Sequence, residues 1–130
     1  MLAYLDRVLV SHALWVTHWL QYDGRLMLHT AYVEGVATDP AYQRRGFATA
    51  VMRALPAQLE DFDLAALSPF DEHWYARLGW ETWRGPLAIR TAEGLLPTPD
   101  ERVMILRLPR TPALDLNATL SAEWRELELW

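Results

Sequence analysis

From Arg7 to Tyr22 the chain is dominated by β-branched and aromatic residues: Val8, Val10, Trp15, Val16, Thr17, Trp19 and Tyr22. Asp23-Gly24 follows, a dipeptide suited to a tight hairpin turn because both positions tolerate positive φ. Arg25 to Thr38 is predicted as the returning strand. A polar, turn-forming stretch, Asp39 to Gly46, then separates the hairpin from a different periodicity. Phe47, Val51, Met52, Leu55 and Leu59 recur at helical spacing. Pro56 lies within that run and should kink the helix or end its regular part. Leu64-Ala65-Ala66-Leu67 is a short apolar run, expected as a buried strand closed by Ser68-Pro69. Asp71 is placed to cap a short helix through Leu78, and Gly79 to stop it. Trp80–Arg90 and Val103–Leu108 are each predicted as one strand. The segment between them, with Glu93-Gly94, Pro97 and Pro99, is predicted as a long loop. Beyond Pro109 and Pro112 lies a tail in which Ser121 could cap one helical turn.

The predicted order is strand, strand, helix, strand, helix, strand, strand, tail. That is an α/β fold with a mixed sheet: hairpins at either end and one strand–helix–strand crossover between them. A chain of 130 residues is expected to form a single domain, residues 1–130. No apolar run reaches the ~18 residues of a membrane span. The N-terminus lacks the basic-then-apolar pattern of a signal peptide, so a cytoplasmic location is expected. There is no cysteine, which excludes disulfides, thiolate metal sites and a thiol nucleophile. The net charge of −5 disfavours nucleic acid and suits a cationic small molecule. The four histidines lack metal-ligand spacing. His12 and His18 share a strand face six residues apart, and His29 and His73 stand alone, so all four are expected to be structural and no metal is expected.

The chemistry concentrates in Val36-Ala37-Thr38-Asp39-Pro40-Ala41-Tyr42-Gln43-Arg44-Arg45-Gly46-Phe47-Ala48. A strand ends, a loop with small residues follows, and a helix begins. A helix N-terminus offers unpaired N–H groups and a partial positive charge, which suit a pyrophosphate. Gly46 and Ala48 allow the anion close to the backbone, and Arg44 and Arg45 add charge. Gln43-Arg44-Arg45-Gly46-Phe47-Ala48 resembles the acetyl-CoA motif of the GNAT N-acetyltransferases, Gln/Arg-x-x-Gly-x-Gly/Ala. The resemblance implies that the loop amides of Gln43, Arg44, Arg45, Gly46, Phe47 and Ala48 hold the coenzyme pyrophosphate. It also implies a bulge in the preceding strand, with Val36, Ala37 and Thr38 pairing with the pantetheine arm like an added strand. The Val36 amide would then donate to the thioester oxygen as charge develops. Trp74-Tyr75-Ala76-Arg77-Leu78-Gly79-Trp80 resembles a second element of that family, Tyr-x-x-x-Gly-aromatic. It implies Tyr75 as proton donor to the departing thiolate.

Four further segments resemble the aminoglycoside 2′-N-acetyltransferases, an antibiotic-resistance subfamily. They are Tyr32-Val33-Glu34-Gly35-Val36-Ala37, Gly79-Trp80-Glu81-Thr82-Trp83-Arg84-Gly85-Pro86, Pro97-Thr98-Pro99-Asp100-Glu101, and the ending Glu123-Trp124-Arg125-Glu126-Leu127-Glu128-Leu129-Trp130. By that resemblance Glu34, Glu101 and Trp130 with its carboxylate line a site for a polycationic sugar. Asp100 is an alternative to Glu101, and Glu128 matches a further acidic position. Residues 109–130 would thus line the acceptor site. Glu34 would also deprotonate the acceptor ammonium, directly or through water. The subfamily carries a strand and two helices ahead of the region matching Arg7, which this sequence lacks. Their absence leaves three alternatives open: exposed apolar surface, pairing with a second copy, or a fragment. The expected activity is acetyl transfer from acetyl-CoA to such an amine. The alternatives are another small amine, or a non-catalytic acyl-CoA-binding module.

Overall fold

The structure, a computed structural model, describes residues 1–5, 8–125 and 130. Strands are β1 (Leu2–Leu5), β2 (Val8–Tyr22), β3 (Leu26–Thr38), β4 (Leu64–Leu67), β5 (Glu81–Thr82), β6 (Leu87–Thr91), β7 (Gly94–Pro97), β8 (Met104–Arg107) and β9 (Leu120–Glu123). Helices are α1 (Phe47–Ala54) and α2 (Glu72–Ala76). The strands form one mixed sheet in the order β5-β8-β4-β3-β2-β9-β6-β7, with β1 also paired to β2. The β2–β3 hairpin turns through Asp23 (φ 55°) and Gly24 (φ 66°), the positive angles the dipeptide predicts. β3 and β4 are parallel and joined through α1, the predicted crossover. α1 gives way at Leu55 to a 3-10 turn, Leu55–Gln58, with Pro56 at its start.

β4 packs on both faces, which is why its sequence is a continuous apolar run. Ala65 and Leu67 join Ala13, Ala31 and Val33 beneath Val51, Met52, Leu55 and Leu59 of the helical crossover. Leu64 and Ala66 face the other way, with Leu20, Leu28, Tyr32, Trp83 and Ile105. The two faces alternate along the strand as the pleat requires.

Four expectations fail. Residues 80–90 are two strands rather than one. The chain leaves the sheet after Thr82, where Arg84 and Gly85 donate their N–H groups to the Leu116 carbonyl. Gly85 lies so close to the 117–118 backbone that a Cβ would collide with the Ala118 carbonyl oxygen. The predicted long loop contains β7, which forms a hairpin with β6 around Gly94 (φ 113°). The tail forms no helical turn at Ser121. Instead β9 inserts between β2 and β6, antiparallel to one and parallel to the other. Finally, β1 precedes the hairpin, in residues too few to show a period. No helix among the described residues is long and apolar enough to cross a membrane.

Candidate functional site

β3 carries a bulge. Leu14 pairs with Gly35 and Trp15 with Val33, so Glu34 is the extra residue. Pairing with β4 ends at the Val33–Leu67 rung, while β3 continues to Thr38. Residues 34–38 therefore run on past the shared ladder. Which of their amides face the gap follows from the far side of β2. Ala13 exchanges both of its backbone hydrogen bonds with Met1, at 2.8 and 2.9 Å. The Ala13–Val36 rung is thus a non-hydrogen-bonded pair, and the Val36 N–H and C=O point away from β2 into the gap. By the same alternation Thr38 faces outward and Ala37 turns its backbone to β2.

The loop after β3 closes this gap from below. Asp39 accepts from the Ala41 N–H at 2.9 Å and opens a 3-10 turn, Pro40–Tyr42. The Gln43 amide nitrogen reaches the Thr38 carbonyl at 3.5 Å and ties the loop to the strand end. Arg44 (φ 66°) and Gly46 (φ 80°) both take the left-handed conformation, and Gly46 caps α1 without a side chain. The first turn closes with Ala50 N–H on the Gly46 carbonyl at 2.9 Å. The N–H groups of Phe47, Ala48 and Thr49 come before that bond and have no capping side chain, so they form a ready anion site.

Strand end, loop and helix start enclose a cleft of about 340 Å³. Of the residues singled out from sequence, Val36, Ala37, Thr38, Gln43, Arg44, Gly46, Phe47 and Ala48 line it. Arg45 lies beside them, its guanidinium 5.4 Å from the Tyr42 ring centre and 5.6 Å from that of Phe47. The opposite wall is Phe70, Asp71 and Trp74. Phe70 went unnoticed in the sequence. Its signal is an aromatic in the polar connection after a buried strand, and it is 75% exposed. Asp71 accepts from the His73 and Trp74 N–H groups at 3.0 and 3.2 Å, the cap its position predicted.

Tyr75 is not among the residues lining the cleft. It is 3% exposed, within an aromatic cluster of Phe70, Trp74 and Trp80. Burial, then the charge of Asp71, pushes its phenol up to about 12. Glu34 projects on the sheet face opposite α1, 39% exposed, with Oε1 3.7 Å from His18 Nε2. Thr98 accepts from the Trp130 indole N–H at 3.1 Å and, through its carbonyl, from the Glu101 N–H at 3.2 Å. This brings the end of the chain to the turn bearing Asp100 and Glu101, both exposed. Glu128 lies outside the described residues.

Residues 1–83 match the family described as "Acetyltransferase (GNAT) domain". The aminoglycoside 2′-N-acetyltransferase of Mycolicibacterium fortuitum is 35% identical over 129 residues, covering 94% of this chain and 66% of its own length. The chain thus spans slightly less than two thirds of that relative. Among solved structures, a GNAT family N-acetyltransferase from Escherichia coli in complex with CoA superimposes with a TM-score of 0.62, at 14% identity, over 93% of this chain and 64% of its own. A GNAT family acetyltransferase from Brucella melitensis in complex with acetyl-CoA gives a TM-score of 0.56 at 20% identity, over 88% of this chain and 61% of that one. These two structures share the fold.

Proposed function

The chain belongs to the GNAT acetyltransferase family, and on that premise we propose that it moves an acetyl group from acetyl-CoA to a primary amine of a polycationic, aminoglycoside-like sugar. The observation that carries this is the cleft at the end of β3, where outward backbone amides meet an uncapped helix N-terminus. The pantetheine arm lies along residues 36–38 as an added strand, and the pyrophosphate lies on the N–H groups of residues 47–49. The amine nitrogen attacks the thioester carbonyl carbon, and the Val36 N–H donates to the oxygen that becomes negative. As the tetrahedral centre collapses the C–S bond breaks, the new C–N bond remains, the thiolate takes a proton from Tyr75, and the extra proton left on the nitrogen passes through solvent to restore the phenol. Glu34 removes the proton that the ammonium must lose before it attacks.

The acceptor assignment is supported by the curated relative and by the acidic groups on the Glu34 side of the sheet. Asp100 or Glu101, and Trp130 at the chain end, hold the remaining ammonium groups. Glu128 serves there too. The working location is the cytoplasm, where both substrates meet, and acetylation of an aminoglycoside there would confer resistance. A second copy would sit against β1, where Leu2 and Tyr4 are exposed. Sedimentation equilibrium checks that contact, and a monomer at all concentrations counts against it.

One observation favours the binding-only alternative: Tyr75 is buried, with its proton held tightly. Thiol release separates the two. With acetyl-CoA and a panel of amines, release should depend on the amine and be fastest with aminoglycosides bearing a free 2′-amine. It should vanish when that amine is replaced by hydroxyl. Coenzyme binding without amine-dependent release would leave a binding module.

A further inference from the structure

His18 has no place in the chemistry above, yet its position is hard to explain by packing alone. It is 1% exposed, and neither ring nitrogen has a hydrogen-bond partner among the described residues. A polar side chain buried in that state costs stability and calls for a reason. Its ring stacks on Tyr32, with centres 4.4 Å apart and planes at 28°. Tyr32 is two residues before Glu34 on β3, so the alternation of the strand puts both side chains on the same face. Glu34 Oε1 therefore stands 3.7 Å from His18 Nε2. That is several tenths of an ångström outside hydrogen-bond range, and too short for a water to stand between.

We infer that His18 is a positioning residue for Glu34, donating its Nε2 proton to the carboxylate once the acceptor ammonium has turned that carboxylate inward. The inference rests on the assignment of Glu34 as the base that faces the acceptor. Three further charged groups face this part of the sheet. Arg125 bonds Glu123 at 2.8 Å, and Glu123 also accepts from the Trp19 N–H at 3.3 Å. Arg90 bonds the carbonyls of Trp19 and Ser121. Burial first, and then the Arg125 charge, lowers the His18 pKa to about 4, against the opposing pull of Glu123. The ring is thus neutral near pH 7, with one N–H to give, and its contact with Glu34 is no ion pair. A neutral donor holds a carboxylate in place without quenching its charge, so the carboxylate can still take a proton. Glu34 is partly exposed to solvent, so a fixed donor beneath it selects one orientation of its carboxylate.

The test joins kinetics to a spectroscopic measurement. His18→Leu fills the same space without a donor. It should lower kcat for the amine about 10- to 100-fold, the loss expected for one hydrogen bond to a charged group. KM for acetyl-CoA should stay within twofold. His18→Gln restores an N–H of similar reach and should recover most of the lost rate. Equal losses in both variants would mean a packing role and overturn the inference. Nitrogen-15 NMR of the His18 ring, in the parent and in Glu34→Gln, gives an answer even in an inactive protein. The expected result is a proton on Nε2 whose resonance moves in Glu34→Gln. A proton on Nδ1, or a resonance indifferent to Glu34, overturns the pairing. If Glu34→Gln moves the resonance yet leaves turnover intact, the pairing stands and Glu34 is not the base.

Discussion

At the scale of single residues, burial sets the chemistry as much as identity does. Tyr75 and His18 show this from opposite sides. Burial raises the Tyr75 phenol to about 12, so it carries its proton across the whole working range and can act only as a donor. Tyr75→Phe should leave coenzyme A affinity within about twofold and lower turnover at least about tenfold, within the range of general acid catalysis. Calorimetry and steady-state kinetics on the same preparation check this pair of values. Unchanged turnover would remove Tyr75 from the reaction. For His18 the folded pKa of about 4 lies below the ordinary 6.5. The unfolded chain therefore binds the proton first as pH falls. The contribution of the neutral ring is whole above pH 6.5 and is lost towards pH 4, about 3 kcal/mol by linkage. Urea unfolding at stepped pH should show this loss in the parent and a flatter profile in His18→Leu. Little of this was legible in the sequence. Tyr75 stood out by motif, but nothing in the local pattern gives its depth. His18 looked like a strand histidine, because its neighbour Glu34 lies on a different strand, sixteen residues on, and only the pairing of β2 with β3 brings them together.

At the scale of elements, local pattern predicted what local forces determine. The hairpin turn, the helical run ended by Pro56, the buried β4 and the Asp71 cap each depend on residues within a few positions of each other. What the sequence hid is non-local. β9 has no periodicity that separates it from a polar tail. It is a strand because β2 and β6 leave a slot between them. Arg90 closes that junction: one guanidinium nitrogen bonds the Ser121 carbonyl at 2.6 Å, and the other bonds the Trp19 carbonyl. Arg90→Ala should destabilise the fold by about 1.5–3 kcal/mol, because those acceptors lose a charged donor. Arg90→Lys should recover only part of this, since it lacks the fork. Gly85 marks the other hidden junction, where the chain passes tightly over residues 117–118. Gly85→Ala should cost about 1–3 kcal/mol, the usual range for forced overpacking. Denaturant midpoints at constant slope check all three variants, and a parental midpoint in Gly85→Ala would show that the 117–118 loop yields freely.

At the scale of the whole molecule, the proposed reaction divides between the two faces of one sheet. The α1 side carries the cleft that residues 36–49 build. The other side carries Glu34 and, further along, the Thr98 turn with Trp130 bound to it. The bulge at Glu34 joins them, since the carboxylate keeps the face that alternation gives it while the extra residue shifts the phase and opens the Val36 amide into the gap. The cleft was legible because its residues are nearly contiguous and follow a strand–loop–helix order. The residues proposed for the acceptor were singled out only by resemblance, because they come from three distant segments. The central claim is that the cleft holds the coenzyme pyrophosphate at the start of α1. Gly46 tests it most directly, because a Cβ there would meet nothing within 4 Å beyond its own chain neighbours. The added bulk of a valine therefore enters the open cleft rather than the protein, although its positive φ also strains the turn. The measurement is a calorimetric titration of coenzyme A into Gly46→Val beside the parent, with circular dichroism confirming an intact fold. Loss of one charge-assisted contact, about 1.5–3 kcal/mol, predicts binding weaker by about ten- to hundredfold. A folded Gly46→Val that binds coenzyme A as tightly as the parent would contradict the account, leaving this loop an ordinary turn between a strand and a helix.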